Sequence, residues 1–278
     1  MKLNTIFAVS ANEAKQFDTA QLREHFLMEN LMQPGQLQFT YTHYDRMMIG
    51  GAVPTTKALS LPNYPSLKAE YFLERRELGI INVGGNGEVT VDGKKYALRK
   101  LDCLYVGKGS KKVDFSSSNK KETAKFYLLS CPAHHAYPVQ LCKKEAASPT
   151  EMGALATSNH RTIYKYIHLA GLQSCQLVMG LTILQTGSVW NTMPAHVHDR
   201  RMEAYFYFDV PSDQRIIHLM GEPQQTRHLI LNNYDAVVSP PWSIHSGCGT
   251  SNYSFIWGMC GENLDYSDMD KLTMNELK

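Results

Sequence analysis

Short apolar runs closed by turn residues recur along this 278-residue chain: FYLLS at 126–130, CQLVMGLTIL at 175–184, AYFYFDV at 204–210, RIIHLMG at 215–221, RHLILNN at 227–233, DAVVSP at 235–240 and YSFIWGM at 253–259. Each is rich in β-branched or aromatic residues and bounded by Gly, Pro, Asn or Asp, the pattern of an antiparallel sandwich or barrel. Helical signals are few: Ser10 or Asn12 could cap a helix over NEAKQFDTAQLREHFL, and a second could form around MDKLTMNELK at the C-terminus. The expected fold class is therefore mainly all-β with a few short helices.

The pattern also echoes itself. ERRELG at 74–79 opens a stretch that runs through a VDGKK hairpin to Asp102, an apolar strand and VGKG; DRRMEA at 199–204 opens one that runs through a GEPQQ hairpin to Asp235, an apolar strand and a Gly-rich end. Two copies of one β unit are expected. The junction falls in the polar segment at about 142–161, giving an N-terminal domain over 1–145 and a C-terminal domain over 146–278.

A hydrophobic content of 43% supplies a real core, and the net charge of +2, with basic residues dispersed, offers no footprint for nucleic acid. The six cysteines contain no CxxC pair and read as buried thiols in a reducing compartment. The apolar stretch at the N-terminus is short and interrupted, and no membrane-spanning run follows it. A cytoplasmic protein with a small-molecule ligand is expected.

PAHVHDRRMEAYFYF at 194–208 carries the chemistry. In a strand, His196 and His198 project to one side about 6.6 Å apart, a separation that lets two imidazoles converge on one ion at about 2.0–2.1 Å each. Glu203 lies five residues on, room enough for a turn at 199–201 and a return strand from Met202. A fourth donor, His245, stands in the Pro-rich turn SPPWSIHSG. Three imidazoles and one carboxylate leave an octahedral ion two open positions, and this donor set admits zinc, iron, manganese or nickel. His134 and His135 beside Cys131 have no matching second half and read as a polar loop.

Gly187, HVH at 196–198, Glu203 and PPWSIH at 240–245 resemble the two motifs of the cupin superfamily, with a longer gap after Gly187 and Trp242 where the second motif has Gly. YFLERRELGIINVGG at 71–85, LYVGKG at 104–109, SNHRTIYKYI at 158–167, VWNTMPAHVHDRRMEAYFYF at 189–208, MGEPQQTRHLIL at 220–231, SPPWSIHSGCGT at 239–250 and FIWGMCGEN at 255–263 together resemble the 5-keto-4-deoxyuronate isomerase family over nearly the whole chain. The resemblance implies a two-cupin (bicupin) fold and one Zn²⁺ per subunit held by His196, His198, Glu203 and His245. It also implies a homohexamer and a ketol-isomerase acting in pectin and uronate breakdown.

Such a reaction needs a base and a cation. Glu203 and Lys165 are the catalytic candidates, with Tyr253 a further possible base; Arg161 and Lys165 are the candidates for pairing the substrate carboxylate. Gln176 and Thr182 share parity in the run 175–184 and could bond substrate hydroxyls, as could Thr192 just ahead of the metal strand, and Tyr253 could line the substrate pocket. Arg200 and Arg201 pair with acids or face the site. Competing readings are a cupin dioxygenase, which would consume oxygen at iron, and a noncatalytic sugar-acid binder. The first copy, without metal ligands, reads as scaffold.

Overall fold

A computed structural model describes residues 3–262 and 264–278; Met1 and Lys2 of the N-terminal stretch, and Asn263, which ends the FIWGMCGEN block, lie outside the described residues. Among the described residues the chain forms two seven-stranded sheets, two four-stranded sheets and one two-stranded pair. None of these sheets closes on itself.

The two large sheets have matching orders. One runs Asn4–Ile6, Leu37–Thr42, Met48–Ala52, Phe126–Pro132, Arg76–Asn82, Cys103–Val106 and Gln140–Cys142; the other runs Thr150–Met152, Arg161–Ile167, Val178–Leu184, Ser254–Gly261, Arg201–Phe208, Ala236–Ser239 and Leu27–Met28. The four-stranded sheets match as well: Leu59–Ser60, Val113–Ser117, Gly87–Val91, Lys94–Leu98 against Trp190–Asn191, Ser246–Gly249, Ile216–Glu222, Gln225–Leu231. The internal echo thus corresponds to a repeated sheet topology, with Arg76 and Arg201 each opening the equivalent strand.

Two compact units emerge, and they are not contiguous in sequence. Leu31–Ser148 and Lys165–Met179, with the chain's start up to Thr5, form one; Ile6–Asn30, Pro149–Tyr164 and Gly180–Lys278 form the other. In the first, Phe39, Phe72, Leu78, Ile80, Leu104, Phe115, Phe126 and Leu128 make a closed apolar cluster. In the second, Phe206, Phe208, Val237, Val238 and Ile256 are fully buried.

The predicted N-terminal helix is two helices, Ala11–Ala14 and Thr19–Phe26, because Asp18 caps a second start: its carboxylate accepts from the Gln21 N–H while the Gln21 side chain accepts from the Asp18 N–H. The predicted C-terminal helix is replaced by a two-residue strand, Asp270–Lys271, and a single 3₁₀ turn, Met274–Glu276. Pairing with His196–Val197 overrides the local helix propensity there. Cys103, Cys131 and Cys260 are buried, whereas Cys142, Cys175 and Cys248 are partly exposed, and all six are free thiols. No helix among the described residues is long and apolar enough to cross a membrane.

Candidate metal centre

Local pairing sets each member of the HxH/Glu/His group. His196 lies in the short strand His196–Val197, paired with Lys271. The chain turns at 199–200 and re-enters as Arg201–Phe208, one residue earlier than the sequence spacing predicts. That strand starts at Arg201 because its buried guanidinium is anchored: it donates to Asp268 at 2.7 Å and to the Asp265 carbonyl at 2.7 Å. The Arg201 carbonyl in turn accepts from His198 Nδ1 at 2.9 Å. Glu203 is paired across the sheet with Ser239, and Ser239 Oγ lies 3.2 Å from His245 Nδ1. Both contacts engage Nδ1 and so turn the Nε2 lone pairs of His198 and His245 toward the centre.

The ligand atoms of His196, His198, Glu203 and His245 all lie within 4.8 Å of one another. His245 Nε2 is 3.0 Å from His196 Nε2 and 2.9 Å from Glu203 Oε2, which is 3.1 Å from His198 Nε2. Two donors at right angles, each about 2.1 Å from an ion, stand about 3.0 Å apart, so these separations match edges of an octahedron; tetrahedral edges would be about 3.4 Å. Lone pairs at such spacing repel unless a cation lies between them. The donor set therefore fits a divalent metal ion.

The electrostatics agree. Burial and the neighbouring His245 push His196 down to about 3, which keeps its imidazole neutral and able to ligate at neutral pH. Burial alone would raise Glu203, but His245 and His198 outweigh it and hold the carboxyl well below its usual range. For His198, burial works downward and the Glu203 contact reverses it, leaving a net upward shift.

Period-two alternation along Arg201–Phe208 puts Tyr205 and Tyr207 on the same face as Glu203. The Tyr205 ring sits 5.5 Å from that of His245, and its hydroxyl is 3.0 Å from Thr192 Oγ1. Tyr207 bonds His218 Nδ1 at 2.7 Å, and Tyr253 accepts from Asn191 Nδ2 at 2.5 Å. Arg161, its pKa lowered by burial, interacts electrostatically with Tyr205 and Tyr253. Thr192 thus stands beside Tyr205, Tyr253 is held by Asn191, and the Arg161 guanidinium donates to the Asn159 carbonyl at 2.8 Å. Thr182 is buried, with its hydroxyl accepting from Trp257 Nε1 at 3.2 Å, a packing bond. Arg200 pairs with Glu262 at the surface.

Two predicted residues are grouped with the first compact unit. Gln176 donates to the Pro132 carbonyl at 3.2 Å and belongs to the first unit. The strand begins at Val178, not at 175, because the N–H groups of Cys175, Gln176 and Leu177 all turn to the Glu77 carboxylate, which breaks the alternation on which the shared parity with Thr182 depends. Lys165 also belongs to the first unit, where its N–H donates to the Ala147 carbonyl at 2.8 Å. Sequence reasoning passed over Tyr205 and His218; alternation from Glu203 was the available signal for Tyr205.

Comparison with known proteins adds the lineage. A profile of the KduI/IolB family matches residues 26–274. A protein of Formosa agariphila, named 4-deoxy-L-threo-5-hexosulose-uronate ketol-isomerase, is 57% identical over 277 residues, covering 100% of this chain and 99% of its own; one of the same name from Shouchella clausii is 54% identical over 272 residues, covering 98% and 99%. Among solved structures, an IolB-like protein from Salmonella typhimurium superposes with a TM-score of 0.73 at 14% identity, covering 89% of this chain and 96% of its own. Lactobacillus farciminis oxalate decarboxylase superposes at 0.59 with 10% identity, covering 92% and 88%. The fold is that of the cupin superfamily, and the chain belongs to the KduI/IolB family.

Proposed function

We propose that this chain is a 4-deoxy-L-threo-5-hexosulose-uronate ketol-isomerase of uronate breakdown, with one Zn²⁺ per subunit at His196, His198, Glu203 and His245. The convergence of those four donor atoms within 4.8 Å, in a chain 57% identical to a relative of that name, carries the reading. The substrate has an aldehyde at C1, a hydroxyl at C2 and a carboxylate at C6; the reaction removes the C2 proton, passes through an enediol and returns a proton to C1, leaving the carbonyl at C2. When bound, a divalent ion supplies Lewis acidity to the C1 and C2 oxygens.

The chain's own groups supply the rest. Arg161 pairs the C6 carboxylate, since an unpaired charge in a half-buried site is costly. Glu203, enclosed by two imidazoles, serves as ligand, and Thr192 and Tyr253 border the substrate. Lys165 and Tyr253 stand as the further base candidates. The finer architecture proposed is a bicupin whose halves correspond to 1–145 and 146–278 with exchanged segments. It assembles as a homohexamer in the cytoplasm, the first half serving as scaffold.

The test is proton NMR of fresh substrate with purified, metal-loaded protein in deuterated buffer, run beside His196→Ala. Conversion to 3-deoxy-D-glycero-2,5-hexodiulosonate by the wild type alone is expected. An inert wild type sinks the substrate assignment.

A further inference from the structure

Three buried tyrosines lie near the ligand set, and one of them bonds a residue that is itself partly exposed. All three are buried, and the hydroxyls of Tyr207 and Tyr253 are engaged by His218 Nδ1 at 2.7 Å and Asn191 Nδ2 at 2.5 Å. Tyr205 differs. Its hydroxyl meets Thr192 Oγ1 at 3.0 Å, and Thr192, like Arg161 and His196, is partly exposed. Two residues beyond Glu203 on the same strand face, Tyr205 lies one step, about 6.6 Å, inward from the carboxylate ligand, with its ring 5.5 Å from that of His245.

Thr192 supplies an independent observation. It adopts φ +48°, a left-handed conformation that is costly for a β-branched residue and is tolerated where surrounding structure enforces it. Asn191 immediately before it is pinned by its bond to Tyr253 and by the Ser246 hydroxyl donating to its carbonyl at 2.8 Å. The unfavourable backbone delivers the Thr192 hydroxyl to Tyr205, whose ring stands against that of His245.

We propose that the Tyr205 hydroxyl donates a hydrogen bond to the reacting C1 or C2 oxygen as negative charge gathers on it, and that Thr192 is the positioning residue that aims it. The role rests on the isomerase reading above and adds to it a donor from the protein. A six-carbon sugar acid with its reacting end at the four ligands passes Tyr205, whose ring stands 5.5 Å from that of His245 and whose hydroxyl bonds the partly exposed Thr192. A donor aimed at charge that develops only during reaction acts on kcat more than on KM.

The experiment compares Tyr205→Phe, Thr192→Ala and Thr192→Ser with wild type under saturating substrate. Three readouts accompany turnover: bound metal per chain, the visible spectrum of the cobalt(II)-substituted protein, and calorimetric binding of the C1-reduced alditol acid of the substrate, which cannot isomerise. Tyr205→Phe is expected to lower kcat about 10²–10³-fold, with KM and alditol-acid affinity within about threefold and the cobalt spectrum unchanged. Thr192→Ala is expected to lower kcat about tenfold, and Thr192→Ser to restore it to within about twofold. Wild-type kcat in Tyr205→Phe overturns the proposal, and so does a shifted cobalt spectrum or lost metal, which would make Tyr205 a prop for the ligands. Should Tyr205→Phe fail to fold, wild-type kcat in Thr192→Ala overturns it instead. A wild type that binds metal and turns over nothing removes the isomerase reading, and this role with it; a working wild type beside a fully active Tyr205→Phe removes this role alone.

Discussion

Replacing Glu77 by Gln tests how the first unit is held together. The carboxylate is fully buried; Oε1 accepts from the N–H groups of Gln176 at 2.8 Å and Leu177 at 2.9 Å and from Cys131 Sγ at 3.4 Å, while Oε2 accepts from the Tyr105 hydroxyl at 2.7 Å and the Cys175 N–H at 2.8 Å. An amide offers one acceptor where the carboxylate offers two. Its better orientation puts NH₂ toward Tyr105, whose hydroxyl can rotate to accept, and leaves the Cys175 N–H orphaned at about 1–3 kcal/mol. The bonds to Gln176 and Leu177 lose their charge assistance, about 1 kcal/mol each. The sum is about 3–5 kcal/mol, roughly a 10 °C fall in Tm for a unit of this size. Urea unfolding followed by circular dichroism and tyrosine fluorescence, with Tyr105→Phe as a milder control, measures it. Bound metal per folded chain should be unchanged. A loss under about 1 kcal/mol would refute the reasoning, because it would mean that water or another donor already shares the load on this carboxylate.

Three further outcomes follow from the second unit. Ser239→Ala removes the contact on His245 Nδ1 and should weaken metal affinity about 10–100-fold, read by competition with a chromogenic chelator. Arg161→Ala should raise KM about 10–100-fold with a smaller change in kcat, measured by steady-state kinetics. Burial, with His245 adding to it, depresses His218 from 6.5 to about 3, so the unfolded chain binds the proton more readily. The stability this group contributes is therefore complete above about pH 6.5 and is lost as pH falls toward its folded value. Between pH 6.5 and 5 the wild type should lose about 2 kcal/mol that His218→Gln retains, seen as a shallower pH dependence of Tm in the variant.

Much of this fold is written locally. Runs such as AYFYFDV and RIIHLMG are short, apolar, rich in aromatic or β-branched residues and end at turn residues, so their strands appear within a few residues of where sequence alone puts them. The four candidate metal donors are legible for the same reason: three lie within eight residues of one hairpin, and the fourth follows a double proline. Long-range partners are not legible. Gln176 looks like part of a strand until Glu77, 99 residues away, collects three successive N–H groups around it. The C-terminal MDKLTMNELK has helical composition, yet it forms a strand where His196–Val197 offers an unpaired edge. Tyr205 hides for a subtler reason. In an aromatic run the core reading is the default, and only the assignment of Glu203 as a ligand makes the next residue of the same parity informative.

Setting the two copies on one frame shows which parts serve shape and which serve chemistry. Asp102 accepts from the N–H of Arg99, three residues back, and from that of Lys144; Asp235 accepts from the N–H of Asn232, again three back, and from that of Asn30. Both carboxylates tie a strand-entry turn to a distant segment, so this device belongs to the fold. Arg76 and Arg201 likewise each open a strand and bond backbone carbonyls. With those two arginines aligned, the positions of His196, His198 and Glu203 are held in the first copy by Tyr71, Leu73 and Leu78, and the last two sit in its apolar cluster, where Phe39 and Phe72 stack at 5.2 Å. Convergent lone pairs are a poor way to fill a core, since each must be desolvated and held against its neighbours. A copy relieved of ligating is free to pack those positions with leucine. The second copy instead gathers three imidazoles and a carboxylate within 4.8 Å, a set that a divalent ion would hold together by ligation.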